Sequence, residues 1–451
     1  MISKISELCI LRPIDTDALP ESVSSARLCE LVAESGIRGK GWVGRPAASK
    51  WKTFAAAQVE KKEIICLISG VCANALMERN PTAVFAGAAL TAKAFGIPAV
   101  WVVSDGTVSV PEQYGGVTFN SFQIEHSAAS GEETRVIAAI EDTIPVAKLE
   151  PPYPEEKGLH GKPTLFHSAE FFAHIPYLLL GTDADTKLTF LTGDTQITGI
   201  AEIMLGTPLR EILALAGCDS AKAVQTGGLT GCFIPGRALD TPYSPDSVFI
   251  GDGSIRVLSE NRCIAMEVFK NCAEAYKASC GKCVFCREGS YQQYLFWRDI
   301  VDGRASDNDL KLLKTLSRVM SGTAACGYGQ SIGAMVESAL KNFEEEISQH
   351  VRMKKCPALV CPSMISVYIA PEKCTGCGKC ISLCPEKAIK GGEGMIHVID
   401  ASICTRCLAC VDCGEAIVRI SSKLPKPALP ENPVPVGSFV PKKKGLQRRV
   451  K

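Results

Sequence analysis

Sixteen of the chain's 22 cysteines lie after residue 262, and ten of those stand in Cys-x-x-Cys steps. The steps are Cys280/Cys283/Cys286, Cys374/Cys377/Cys380 and Cys404/Cys407/Cys410/Cys413. Spacing this short lets one turn of backbone wrap thiolates around a cubane of iron and sulfide. The second half of the chain is therefore expected to fold around inorganic centres that pass electrons.

A chain of 451 residues is expected to divide into about two to four domains, because single cores stop growing near 250 to 300 residues. A hydrophobic fraction of 46% with a net charge of +1 describes an ordinary soluble protein and excludes a basic nucleic-acid binder or a disordered chain. No basic and apolar leader opens the sequence, so the thiols are assigned to a reducing, cytoplasmic setting where they hold metal. Residues 83–103 carry Lys93 as their only charge and are long enough to span a bilayer. Gly96-Ile97-Pro98 breaks that run into a helix and a buried strand, so no transmembrane segment is expected.

Along the chain, residues 1–160 alternate helices with apolar strands such as Ile64 to Ile68 and Val100 to Val103, which predicts an α/β domain. Cys9, Cys29, Cys66 and Cys72 lack metal spacing there and read as buried small hydrophobes. Pro151-Pro152-Tyr153-Pro154 marks a junction, and residues 161–255 read as a β-rich unit with a helix starting near Pro208. Residues 256–352 show helical periodicity in Tyr291 to Val301 and Leu310 to Met320, predicting a helical bundle. A linker, 353–365, leads to an internally duplicated unit, 366–422, and then to a Pro-rich basic tail, 423–451, read as an extended arm that is solvated or laid on a partner.

Cys280, Cys283 and Cys286 supply three thiolates, and Cys326 is the natural fourth ligand of a 4Fe-4S cluster; a zinc knuckle is the alternative. Lys282 and Arg287 would offset the cluster's charge. Cys374-x2-Cys377-x2-Cys380-x3-Cys384-Pro385 matches the ferredoxin run, in which the fourth cysteine serves the other cluster. Cys374, Cys377, Cys380 and Cys413 should then hold one cluster, and Cys404, Cys407, Cys410 and Cys384 another. Val411 and Asp412 alone separate Cys410 from Cys413, and Gly414 stands where proline is usual, a departure that bears on the first of these sets. Cys356 and Cys361, with His350 just before them and Cys263 upstream, could close a tetrahedral zinc site or remain free buried thiols.

Ser279 to Gly289, Cys326 and Gly161-Lys162-Pro163-Thr164 resemble the flavin-bearing NADH dehydrogenase subunit of respiratory complex I. Cys326-Gly327-Tyr328-Gly329-Gln330, the Cys356/Cys361 pair and the appended ferredoxin unit are more similar to the beta subunit of electron-bifurcating hydrogenases. The resemblance spans about residues 20 to 422. It implies a multidomain α/β and α+β fold: a flavin-type α/β domain, a ubiquitin-like β-grasp module, a helical bundle with one 4Fe-4S cluster and a C-terminal two-cluster ferredoxin. It also implies a zinc site at the bundle-to-ferredoxin junction, with Cys263, Cys356 and Cys361 at the matching positions.

The flavin and nucleotide site departs from that family. Its glycine-rich loop corresponds here to residues 36–51, with Trp42, Val43, Arg45 and Ala48 where small or apolar loop residues are expected. The acidic loop after the next strand becomes Ile68 to Asn74, and the paired asparagines after Gly-Lys-Pro-Thr become Phe166-His167-Ser168. Gly131, Glu132, Glu133 and Thr134, with Lys50, are what remains. Bulk in a glycine-lined cleft is expected to exclude FMN. The leading expectation is thus an electron-transfer subunit without flavin, holding three 4Fe-4S clusters and working with other subunits of an oxidoreductase complex, a ferredoxin-like or flavoprotein subunit among them. An FMN-dependent NAD(P)H dehydrogenase and a non-catalytic assembly protein are the competing readings.

Overall fold

The computed structural model describes residues 3–6, 8–40, 45–125, 127, 129–183 and 185–441. The chain divides into two compact units, the first made of Met1–Glu260, Lys270–Leu295 and Lys311–Phe343, the second of Asn261–Phe269, Phe296–Leu310 and Glu344–Lys451.

In the first unit a five-stranded sheet runs in the order Gln113–Tyr114, Val117–Gln123, Ala99–Ser104, Glu63–Leu67, Thr164–Ser168. All neighbours are parallel except the first pair. Central parallel strands are covered on both faces, which is why Ile64, Ile65 and Cys66 form a continuous buried run. The chain returns to this sheet at Thr164–Ser168, so the layer extends beyond the proline-rich junction at residues 151–154.

The membrane-like stretch resolves as expected. Asn80 caps the helix Pro81–Ala94 by accepting from Ala83 N at 3.3 Å, and ten of its residues are buried. Gly96, at φ +66°, turns the chain into the strand Ala99–Ser104. A helix apolar all round belongs inside a protein core, and this one packs on the helix Ala169–Leu180. Among the described residues no helix is long and apolar enough to cross a membrane.

A six-stranded mixed sheet follows the order Ser3–Ser6, Gly199–Met204, Thr186–Gly193, Ser254–Leu258, Ala223–Thr226, Cys232–Pro235. Its core gathers Leu191, Ala201, Leu213, Val224 and Val257 against the helix Leu209–Leu215, which Pro208 precedes at the cap. Buried Glu202 ties down the N-terminal segment by accepting from Leu8 N, Ile10 N and Leu11 N at 2.9 to 3.2 Å. The glycine-rich stretch Gly227-Gly228 is the turn between two antiparallel strands.

The helices Ile264–Ala278, Val284–Val301, Asp307–Thr323, Gly327–Asn342 and Glu344–Arg352 contain both helical segments read from periodicity. The second unit holds two-stranded pairs: Ile365–Ile369 with Ile417–Ser421, Ile389–Lys390 with Val398–Ile399, and Met395–Ile396 with Val434–Pro435. Its small core consists of Ile365, Val367, Ile369, Ile389, Ile396 and Ile417 together with Cys374, Cys380 and Cys410. The tail differs from a free arm: up to residue 441 it lies on its own unit, because Val434 and Phe439 pack against that core. Lys442 to Lys444, Arg448 and Arg449 lie outside the described residues.

Candidate metal centres

Cys280, Cys283, Cys286 and Cys326 line one cavity of about 350 Å³, open solvent included, with Ala129, Glu132, Arg135, Lys282 and Tyr328. Two elements make it. The loop before the helix Val284–Val301 is folded by Arg287 Nη1 donating to Gly281 O at 3.1 Å, and Cys326 stands at the cap of the helix Gly327–Asn342. Burial pushes the Cys326 thiol up to about 11, against the backbone N–H groups of Gly329 and Tyr328 that favour its thiolate. Burial likewise raises Cys286, whose sulfur lies 3.4 Å from Ser279 Oγ. Tyr328 anchors the site by donating to Ala275 O at 3.0 Å.

In the second unit the two ferredoxin-like sets fall together in the crossed pattern. Cys377 and Cys413 are 3.9 Å apart. Cys380, pushed up to about 12 by burial and then by Cys413, feels Cys374 and Cys377 as well. Cys384, Cys404, Cys407 and Cys410 line a second cavity of about 350 Å³, open solvent included. Despite its short spacing, Cys413 therefore reaches the first set, because Ala409–Cys413 tightens into a 3-10 turn.

A compact four-residue constellation is formed by Cys263, His350, Cys356 and Cys361, all buried, with their ligand atoms within 4.8 Å of one another. Cys263 Sγ lies 3.2 Å from His350 Nε2 and 3.7 Å from Cys361 Sγ, and Cys361 Sγ lies 3.5 Å from the same ring nitrogen. A tetrahedral zinc with bonds of about 2.3 Å to sulfur and about 2.0 Å to nitrogen needs donor separations of about 3.8 and 3.5 Å, so these residues fit the ion. His350 Nδ1 is 2.8 Å from Glu346 O. A carbonyl only accepts, so Nδ1 carries the proton and Nε2 presents its lone pair. Hydrogen bonds from Cys263 and Cys361 hold the Cys356 thiol far below its ordinary value.

A cleft of about 950 Å³, open solvent included, is lined by Gly39, Lys50, Gly131, Glu133, His167 and Cys326, among others. Among the described residues, neither Arg45 nor Ala48 fills it. Arg45 swings to Glu155, 2.9 Å away, and stacks over Tyr153, while Ala48 is absorbed into the helix Ala47–Ala56. Trp42 and Val43 lie outside the described residues. Lys50 is spent on Glu133 at 2.7 Å and Phe166 O at 2.8 Å. His167 accepts from Trp51 Nε1 at 3.0 Å and stacks on Phe171. Partial burial, then the Glu133 and Glu132 carboxylates, push Glu150 up to about 7.

Two features escaped the sequence. His397 Nδ1 lies 3.5 Å from Cys374 Sγ, and nothing in its spacing marked it. Cys9, expected to be buried, is so, but beside the His174–Asp183 pair, 2.7 Å apart.

Known families match two of the cysteine-bearing segments. Residues 267–350 match the NADH-ubiquinone oxidoreductase-F iron-sulfur binding region, and residues 367–390 match the 4Fe-4S binding domain. The NADP-reducing hydrogenase subunit HndC of Solidesulfovibrio fructosivorans is 30% identical, covering 87% of this chain and 90% of its own. An NADH-quinone oxidoreductase subunit of Rhizobium meliloti is 27% identical over 73% of this chain and 90% of its own. A crystal structure of an NAD+-reducing [NiFe]-hydrogenase shares the fold at a TM-score of 0.71 and 21% identity, covering 78% of this chain and 68% of that one. With a relative 30% identical across nine-tenths of its length, the chain belongs to the family of iron-sulfur oxidoreductase subunits that includes hydrogenase subunit HndC and its NADH-quinone oxidoreductase counterparts.

Proposed function

We propose that the chain relays single electrons between partner subunits of a cytoplasmic hydrogenase- or complex I-type oxidoreductase. Three 4Fe-4S clusters are assigned to Cys280/Cys283/Cys286/Cys326, Cys374/Cys377/Cys380/Cys413 and Cys404/Cys407/Cys410/Cys384. The single observation that carries the reading is the convergence of these twelve thiols into three separate groups of four. Such clusters supply one-electron chemistry over a wide span of potentials. The protein's part is to ligate, to exclude water and to balance charge: Arg135 and Lys282 face the first group, and Arg406 lines the cavity of the third.

In this reading residues 1–160, with the strand Thr164–Ser168 that completes their sheet and the helix Ala169–Leu180 packed on it, form a degenerate flavin-type domain; the rest of 161–255 forms a β-grasp module, 256–352 a helical segment and 366–422 the ferredoxin, with structural zinc on Cys263, His350, Cys356 and Cys361. The cleft serves as a scaffold without flavin. Lys40, Arg45, Lys50 and Lys148, the cations on its described wall, are each paired with a carboxylate, which leaves little positive charge for a flavin or nucleotide phosphate.

A second reading has a specific observation behind it. The cleft is open and runs from Gly131 and Glu133 to Cys326, the position a flavin would need to feed the first cluster, and relatives carry NADH or NADP in their names. Anaerobic reconstitution decides. About twelve iron atoms per chain with no extractable FMN, and cluster reduction by reduced ferredoxin but not by NAD(P)H, is the outcome expected here. Stoichiometric FMN with NADH- or NADPH-driven cluster reduction establishes the dehydrogenase instead.

A further inference from the structure

His397 is the only histidine after residue 350, and the fold presses its ring against a cysteine assigned to a cluster. Two close approaches of backbone put it there. Gly376, at φ +72°, lies so near Gly394 that a Cβ on it would stand 2.8 Å from the Gly394 backbone, and Gly394 N donates to Gly376 O at 3.2 Å. The loop that carries Cys374 is thereby laid on the segment that leads through Met395–Ile396 to His397. Behind the ring, a Cβ on Gly391 would meet His397 Cδ2 at 2.1 Å, so the imidazole fills the place a side chain there would take. The strand pairs Met395–Ile396 with Val434–Pro435 and Ile389–Lys390 with Val398–Ile399 hold both flanks.

The result is an imidazole only 2% exposed, with Nδ1 at 3.5 Å from Cys374 Sγ and a buried Nε2 that has no hydrogen-bond partner. A metal-bound thiolate accepts and does not donate. The proton therefore sits on Nδ1, pointing at sulfur.

We infer that His397 is a positioning and potential-setting residue: its Nδ1–H donates to the Cys374 thiolate and makes the cluster on Cys374, Cys377, Cys380 and Cys413 the more readily reduced member of the ferredoxin pair. Reduction adds one electron and no bond is made or broken. The added negative charge strengthens an N–H···S hydrogen bond, so the bond favours the reduced form, one of the levers that set such potentials. The set on Cys384, Cys404, Cys407 and Cys410 has no histidine to match, since none other exists in that part of the sequence. The internally duplicated unit is thus electrically unequal, and the pair acquires a preferred direction. The inference rests on the assignment of Cys374 as a cluster ligand made above.

The test uses the full-length chain, reconstituted anaerobically, with iron counts and a redox titration followed by electron paramagnetic resonance. His397→Phe keeps a flat ring without the donor; His397→Gln restores one. With iron content unchanged, His397→Phe is expected to lower the midpoint potential of one cluster only, and His397→Gln to recover part of the shift. Superimposable titrations for the parent and His397→Phe overturn the inference. Should His397→Phe lose iron, parent protein labelled with 15N-histidine decides: a weak nitrogen coupling together with an exchangeable proton coupling on one reduced cluster supports the hydrogen bond. No coupling, or the strong coupling of a direct iron-nitrogen bond, overturns it. A parent chain that binds no iron at the Cys374 set instead removes the assignment beneath the inference.

Discussion

Lys187 is a charge held almost wholly out of water, 3% exposed, and its ammonium is paired with the equally buried Glu170 carboxylate. Burial alone would lower the lysine; the Glu170 charge and hydrogen bond override it and leave Lys187 above its ordinary value. The sign follows from linkage. The pair's contribution is complete below the unfolded value of 10.5 and is lost as pH rises through the folded one. Replacing one partner strands the other, so Lys187→Met is expected to cost about 3 to 5 kcal/mol in urea denaturation at neutral pH, while Lys187→Met with Glu170→Leu costs much less. Neither residue could be paired from sequence, because seventeen positions and a change of element separate them. The same holds for Glu202, which accepts from three backbone amides nearly two hundred residues away. Cysteine sets are the opposite case: spacing of three residues fixes neighbours before any tertiary contact forms. His350 stood between, suggested by proximity to Cys356 and placed by geometry. If zinc occupies this proposed site, His350→Ala is expected to abolish zinc binding, read by elemental analysis, while leaving iron binding at the Cys280 set unchanged.

Among elements, the tightest joint is the crossing of the helices Pro81–Ala94 and Ala169–Leu180. Pro176 lacks an N–H, so the carbonyl of Phe172, four residues earlier, loses its helical donor. Gly87 fills that gap: a Cβ on it would stand 1.9 Å from Phe172 O and 3.1 Å from Pro176 Cδ. Gly87→Ala should force the helices apart and cost about 1 to 3 kcal/mol or more in thermal or urea unfolding, whereas Gly36→Ala, with no atom near its Cβ, is limited to the strain of its φ of +66°. The elements themselves were legible. Gly96 and Pro98 end the helix and start the strand by their own backbone preferences, so the broken hydrophobic run could be read locally. Which strands pair was not legible, since sheet order depends on partners remote in sequence. The course of Arg45 was not legible for the same reason: it is bulky, but where it points is decided by Glu155 and Tyr153, residues that a reading of the loop alone does not see.

At the scale of the whole molecule, each of the two units is stabilised in its own way. The first has sheets of five and six strands with extensive apolar cores. Described β-structure in the second is confined to two-stranded pairs, and thiols occupy its small core. Isolated pairs of strands are marginal in water, so this unit needs its inorganic ligands as staples. Stripping metal with chelator and oxidant should erase hydrogen-exchange protection at Ile365–Ile369 and Ile417–Ser421 while leaving Ile64, Val102 and Leu188 protected. Equal loss in both units would overturn that view.

The strand Ser3–Ser6 lies parallel to Gly199–Met204 at the rim of the six-stranded sheet. At about 5 to 20 residues per second, a ribosome needs on the order of 10 to 40 seconds to deliver the second strand after the first. During that interval the strand Ser3–Ser6 has no mate, and an unclaimed strand is open to any edge that passes. Synthesis order therefore gives this protein a window in which a chaperone, or haste in translation, can decide the yield of correctly assembled molecules.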